Sequence, residues 1–511
     1  MATLGRTITF EVSPAALRQS VWRILPGFLS WGTLIGLTAL AFIVPFWIGI
    51  FIIVYDLYAL IRAAYMSVHL VYAYRRLKRE RGIDWIARCR EAQSQHDWQR
   101  VHHVVILPTY NESLEVLRAS VASLVATDWP AERLHLVVGF EERAGQGARE
   151  RAHELAAEFG GHFRTFLTSF HPDGLPGETR VKSANATWAM KAMEEKLAEQ
   201  GIPVEDVLVS NFDSDTVVSP NYFSHLTYVF ITHPDRYRTS YQPLPMYNNN
   251  VWDAPAFSRV IATGSTFWQM IESTRPERLV TFSSHSMTLK ALKDVGYWHR
   301  NIISEDSRIF WQCLLHYDGH YETVPVYTTV SMDAALANSW WQTLVNQYKQ
   351  KRRWAWGIEN FPYLAEGFLR NSRISRRQKA TYLFRTLEGH HSWATAPIII
   401  AGLGWIPIFF GGPEFHTTVL SYSLPFMTRT IMSIAMSGLI ISTALSLLLL
   451  PPRPTRYSKW RYLGMTIQWA LVPVIATLLS ALPALDAETR LMLGRDLNFN
   501  VMEKARKKIA D

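Results

Sequence analysis

Two distant stretches hold the residues best suited to chemistry. In VSNFDSDT an apolar run ends in Asp213 and Asp215, and far downstream NQYKQKRRWAWG gathers Gln350, Arg352, Arg353, Trp354 and Trp356. Aspartates at i and i+2 beyond a strand end can reach one hard cation, and magnesium typically takes one or two carboxylates, completing its shell with water and substrate phosphate. Such a cation offsets charge building on a diphosphate leaving group. An Asp-rich turn is the competing local reading. In QKRRW, helical spacing puts Gln350 and Trp354 on one face with Arg353 beside them. Guanidinium groups suit phosphate oxygens and an indole offers a flat stacking face. An interfacial amphipathic helix whose Trp and Arg mark the headgroup level, as Trp340 and Trp341 also could, is the alternative. A third cluster, YWHRNIISEDSRIFWQC, sets Glu305 and Asp306 in an apolar and aromatic context. A carboxylate in a partly dry pocket can take a proton from an attacking hydroxyl. Two acids behind a Ser304 cap equally suit a helix N-terminus.

The elements that must carry these groups read as α/β. HVVILP (His103 to Pro108), LHLVVGF (Leu134 to Phe140) and DVLVSNF (Asp206 to Phe212) have the continuous apolar character of buried strands. VKSANATWAMKAMEEKLAEQG has helical spacing and stops at Gly201. This alternation predicts a largely parallel sheet, and in such sheets ligands bind beyond the carboxyl ends of the strands. PTYNE (Pro108 to Glu112) follows the first strand there and DSD follows the third. No internal repeat or long low-complexity tract interrupts the pattern.

The chain has 511 residues, 48% of them hydrophobic and only 19% charged, and the apolar excess lies at the two ends. Leu25 to Val44 is long enough for a bilayer, and Phe46 to Ile61 follows directly after Pro45. One helix over both would run roughly 55 Å, much thicker than a membrane, so a hairpin at Pro45 is expected. A signal peptide is not, because the run is too long and leads into a second span. Thr395 to Phe410, Ile431 to Leu450 and Ile467 to Leu485 are three further apolar segments. YRRLKRERG (74–82), RISRRQK (373–379) and PPRPTRYSKWR (451–461) flank spans and are basic, which points to the cytoplasmic side. Five spans would put the basic tail EKARKKIAD outside, against that bias, so four or five are expected. The boundaries are 1–74 for an N-terminal transmembrane hairpin, 75–380 for a cytoplasmic α/β domain and 381–511 for a C-terminal transmembrane region. The net charge of +9 fits an anionic substrate or these juxtamembrane clusters, with no nucleic-acid partner. Cys89 and Cys313 form no disulfide framework, which suggests a reduced compartment and no structural zinc.

Taken in order, PTYNE, VKSANA, DSD, SED and QKRRW between membrane segments resemble the family-two processive glycosyltransferases, the group containing cellulose and hyaluronan synthases. The resemblance covers roughly Val101 to Gly357 and the flanking spans. It implies a GT-A-type (Rossmann-like) domain performing inverting transfer from a nucleotide-diphosphate sugar, UDP-linked by preference, to a glycan or lipid-linked acceptor at the plasma membrane. It further implies that Thr109, Tyr110 and Glu112 line the nucleotide pocket with Lys182 near it. Asp213 and Asp215 would position the diphosphate and a divalent cation, Mg2+ or Mn2+. Asp306 would be the catalytic base with Glu305 beside it; Gln350, Arg353 and Trp354 would meet the pyrophosphate and the acceptor sugar. Three positions depart from the family. GFEERAG stands where an aspartate pair is usual, so Glu141 or Glu142 would substitute. Ser304 replaces a Thr. FSSHSMTLKALKDVGYW replaces a Gly-rich acceptor stretch, leaving His285 as a buried, hydrogen-bonded structural residue. The small number of spans weighs against a dedicated polymer channel. Single transfer to a lipid carrier, or a silent scaffold that senses nucleotide sugars, are the alternatives.

Overall fold

The computed structural model describes Leu17, residues 20–94 and residues 96–497. The basic tail EKARKKIAD lies outside the described residues. Eight strands form one sheet: β1 (His102–Pro108), β2 (Leu134–Glu141), β3 (Thr165–His171), β4 (Val207–Asn211), β5 (Val217–Val218), β6 (Thr239–Met246), β7 (Ser286–Thr288) and β8 (Glu322–Ser331). Their order is β3-β2-β1-β4-β7-β6-β8-β5.

β3, β2, β1 and β4 are parallel, as expected. β7, however, runs antiparallel to both β4 and β6, and β5 runs antiparallel to β8. β6 and β8 are also parallel, so the sheet is largely parallel, as expected, and becomes mixed only through the short strands β7 and β5. β7 has three residues and β5 two, too few to leave an apolar run in the sequence.

Every residue of β1 after His102 is buried because both faces of the sheet are covered. Val105 and Leu107 face a core built with Leu117, Val121, Leu155 and Phe230 from three helices. Val104 and Ile106 face the other core, with Met190, Met193, Phe310 and Leu314. Each such aliphatic side chain contributes roughly 1.5–3 kcal/mol by leaving water. The helix Lys182–Glu199 lies on this second face and ends before Gly201, whose φ of +67° suits a glycine after a helix end.

Five helices among the described residues are long and apolar enough to cross a membrane: Val21–Ile43, Pro45–Glu80, Arg376–Phe410, Val419–Leu448 and Arg461–Met492. Val44 (φ −132°, ψ 60°) breaks the first pair, and Pro45 opens the next helix, where its missing N–H costs nothing. That second helix extends past Ile61 to Glu80, so the basic run at 74–79 is helical and continuous with the span. Similarly, the helix Arg376–Gly402 starts inside the basic run before the third apolar segment.

Candidate active site

Backbone and side-chain bonds first shape the ends of β1 and β2. Thr109 N–H donates to Gly139 O at 2.7 Å. The Thr109 hydroxyl and the Tyr110 N–H both donate to Glu112 Oε2 at 2.7 Å, so Glu112 folds the PTYNE turn onto itself. Asn185, on the VKSANA helix, donates to Gly139 O at 2.8 Å. A Cβ at Gly139 would lie 2.3 Å from Asn185 Oδ1, so this close crossing of helix and strand requires glycine. Glu141 ends β2 buried, facing Arg143 at 3.3 Å and His171 Nδ1 at 3.4 Å, while Glu142 is exposed. His171 Nε2 meets Glu178 at 2.8 Å, and Arg300 meets Glu178 at 2.6 Å. Burial disfavours the charged imidazole, but Glu141 and Glu178 outweigh it and raise the His171 pKa.

Next to this pocket the charges are concentrated and mutually compensated. Lys182 Nζ lies 2.7 Å from Asp213, 3.8 Å from Glu305 and 3.7 Å from Asp306. Burial opposes its charge, yet Asp213, Asp306 and Glu305 together hold its pKa above the ordinary lysine value. Burial and the adjacent Asp306 push Glu305 up to about 8. Ser283 donates to Asp213 Oδ2 at 2.6 Å. Asp215 is wholly buried, with Oδ2 accepting the Asp333 N–H at 2.8 Å. Among the described residues no group of three or more His, Cys, Asp or Glu is arranged to hold a metal. A magnesium-type cation at Asp213 and Asp215 would have to complete its shell from water and phosphate.

Asp306 opens the helix Glu305–His316. Its Oδ1 is buried and lies 3.8 Å from His285 Nδ1. His285 is fully buried, as expected; its Nδ1 lies 3.1 Å from the Phe282 carbonyl, and burial lowers its pKa. The preceding Ser284 has φ 63°, a strained value for a residue with a side chain. Ser304 does not cap the helix with its hydroxyl, contrary to expectation. The hydroxyl and the backbone N–H both donate to Glu359, at 2.6 and 3.1 Å. Arg308 donates to Asn360 at 2.6 Å and lies 4.0 Å over the Tyr363 ring. These bonds tie the Asp306 helix to the segment following QKRRW, which explains how two clusters far apart in sequence share one location.

The four tryptophans of the helix Trp340–Ala355 and its continuation separate by environment. Trp340 and Trp341 are 61% and 66% exposed, whereas Trp356 is buried. Trp354 packs on Tyr247 at 5.7 Å and Phe282 at 6.3 Å between ring centroids. Gln350 is buried and accepts from Gln347 at 3.1 Å. Arg352 turns away to Asp486 at 2.8 Å.

All the expected site residues line one cavity of about 970 Å³: Thr109, Tyr110, Glu112, Glu141, Lys182, Asp213, Asp215, Glu305, Asp306, Gln350, Arg353 and Trp354. The sequence reading missed Tyr247, Ser283, Asp333 and Lys351, which line it too. Tyr247 follows β6 and Asp333 follows β8 by two residues, so the rule of strand carboxyl ends would have found both had those strands been read. The cavity continues between membrane-level helices, reaching Tyr58, Ala396 and Ile475.

Comparisons with known proteins fit this arrangement. The chain is 22% identical over 435 residues to the cellulose synthase catalytic subunit [UDP-forming] of Pseudomonas fluorescens (strain SBW25), covering 81% of this chain and 49% of that protein. The chain thus spans about half the length of this curated relative. Among solved structures, the mannosyltransferase PcManGT from Pyrobaculum calidifontis in complex with GDP-Man and Mn2+ is similar over 83% of this chain and 99% of its own, at 14% identity and TM-score 0.38. S. aureus TarS 1-349 in complex with UDP-GlcNAc is similar over 67% and 90%, at 14% identity and TM-score 0.34. Likeness at that level leaves ligand and reaction to the chain's own residues. The model of glycosyl transferase family group 2 matches residues 208–483, from β4 into the last long apolar helix and so more than half of the chain. The mixed Rossmann-like sheet is accordingly a GT-A fold, and the protein is a glycosyltransferase belonging to glycosyl transferase family group 2.

Proposed function

We propose that the protein is a membrane-embedded inverting glycosyltransferase acting on a nucleotide-diphosphate sugar and a glycan or lipid-linked acceptor, in polysaccharide synthesis. The observation that carries this reading is the single cavity holding Asp306, the Asp213–Asp215 pair and Arg353 at one end while opening between membrane helices at the other. The nucleotide binds against Thr109, Tyr110 and Glu141, beyond the carboxyl ends of β1 and β2. UDP is the favoured carrier. Asp213 and Asp215 would hold a divalent cation, Mg2+ or Mn2+, which supplies positive charge against the departing diphosphate. Arg353 adds a guanidinium on the same side.

Asp306 accepts the proton of the acceptor hydroxyl as that oxygen attacks the anomeric carbon, and the bond to the diphosphate breaks on the opposite face. Lys182 sets its ammonium 3.7 Å from Asp306 and 3.8 Å from Glu305, a positive charge between the two carboxyls. Trp354 provides the floor that orients the acceptor ring. Residues 75–380 form the catalytic unit, on the cytoplasmic side of the cell membrane between the flanking spans. Purified protein given a panel of nucleotide sugars with magnesium or manganese should release a nucleoside diphosphate from one of them and lose that activity in excess chelator. Inertness toward the whole panel, with acceptor lipids supplied, would favour a silent scaffold.

A further inference from the structure

The cavity wall carries a lysine that the transfer chemistry does not use. Lys351 lies on the QKRRW helix, and its Nζ contacts the Ser265 hydroxyl at 3.3 Å. It sits 4.8 Å from the Trp354 ring and 5.7 Å from the Trp393 ring, so two indoles from different helices fix its position. Three other cations on the wall have carboxylate partners: Lys182 with Asp213, Arg143 with Glu141, and Arg62 with Glu388 at 3.5 Å. Lys351 faces no carboxylate among the described residues. Burial without a counter-charge pulls its ammonium down to about 8. An arriving anion would therefore both form an ion pair and relieve an existing penalty.

The long helices also supply an apolar stretch of wall. Ala59, Ala396, Pro397, Ile400, Val472 and Ile475 continue the cavity between three spans. Asp306, the Trp354 ring, the Lys351 ammonium and these apolar side chains thus line one cavity, with the ammonium 4.8 Å from the Trp354 ring. An acceptor matching these groups presents a hydroxyl, a sugar ring, an anion and a long apolar chain. A neutral glycan conduit does not account for an unmatched ammonium in the wall.

We infer that the Lys351 ammonium, set between Trp354 and Trp393 at the mouth of the apolar passage, is the binding site for the phosphate of a long-chain lipid phosphate that carries the acceptor sugar. This rests on the transfer reading above only for the direction in which the sugar points. Binding is measured without any donor, so failure of either reading is visible separately.

The test titrates farnesyl phosphate, farnesol, inorganic phosphate and a neutral disaccharide into the full-length protein in phosphatidylcholine nanodiscs, with empty nanodiscs subtracted. Farnesyl phosphate should bind at least tenfold more tightly than the others. Lys351→Gln should weaken it by tenfold or more, about 1.4 kcal/mol, while Lys351→Arg, which keeps the charge, stays within a few-fold of the parent. Thermal unfolding of both variants separates loss of the site from loss of the fold. Farnesol binding as well as farnesyl phosphate, or Lys351→Gln binding as well as the parent, overturns the anion site. Inorganic phosphate binding equally well overturns the lipid, and preference for the disaccharide overturns both in favour of a glycan conduit.

Discussion

The two ends of the cavity differ in how they treat charge. At the sheet end Lys182 lies within 4 Å of Asp213, Glu305 and Asp306, and Glu141 is matched by Arg143 and His171. At the membrane end Arg62 is paired with Glu388, but the Lys351 ammonium stands between two rings with a hydroxyl as its polar contact. A folded protein can keep many buried charges when each has a partner, and an unpartnered one is costly. The matched end is therefore preorganised for chemistry on a charged donor, and the unmatched one is completed by what binds.

The largest way to break the comparison is at the base. Asp306→Asn keeps the shape of the side chain but cannot take a proton, so sugar transfer should fall about a thousandfold, within the usual range for general-base loss. Donor affinity in the same preparation should stay near the parent value, and near-normal turnover would remove Asp306 from the base role. Next comes the charge match itself. Lys182→Met leaves Asp213, Glu305 and Asp306 facing one another, and unfolding free energy should drop by about 3 kcal/mol in denaturant titration. An unchanged midpoint would mean that the ammonium is not what allows the carboxylates to be buried.

At the junction of the two ends, Trp354→Ala should slow transfer to acceptor roughly tenfold, about 1.4 kcal/mol. Trp341→Ala, on an exposed ring of the same helix, should leave transfer unaffected and loosen the membrane-facing surface instead. Equal, modest losses at both positions would reduce Trp354 to one more ring at the interface. The smallest effect concerns His171. Its pKa is raised above 6.5 by Glu141 and Glu178, so the charged contacts are fully present below that value and are lost as pH rises through the raised one. Donor affinity should weaken a few-fold over that interval, and His171→Gln should flatten the profile. A parent profile that is already flat would detach this cluster from the donor pocket.

The sequence showed the matched end better than the unmatched one. Asp213, Asp215, Asp306 and Arg353 stand in short polar motifs behind apolar strands or on regular helices; spacing alone leaves a turn, a helix cap or an interfacial helix open there, and the resemblance carried by the ordered motifs singles them out. β7 escaped notice because three residues carry no period, and with it went the Ser283–His285 turn that reaches Asp213 and approaches Asp306. Ser304 was misread for a related reason: local spacing offers a helix cap, while the bond it makes is to Glu359, 55 residues away. Lys351 was invisible as a separate feature, since one lysine in KQKRRW is indistinguishable from its neighbours until Ser265 and Trp393 arrive from other helices.

The most direct test of a single displacement with Asp306 as base is the anomeric configuration of the product. Transfer from a nucleotide sugar of known anomer, followed by nuclear magnetic resonance of the product before any chemical work-up, reports which face was attacked. Attack opposite the diphosphate gives the inverted anomer in the parent and, at a much lower rate, in Asp306→Asn. A product that retains the donor's configuration would contradict the single displacement and the role given to Asp306.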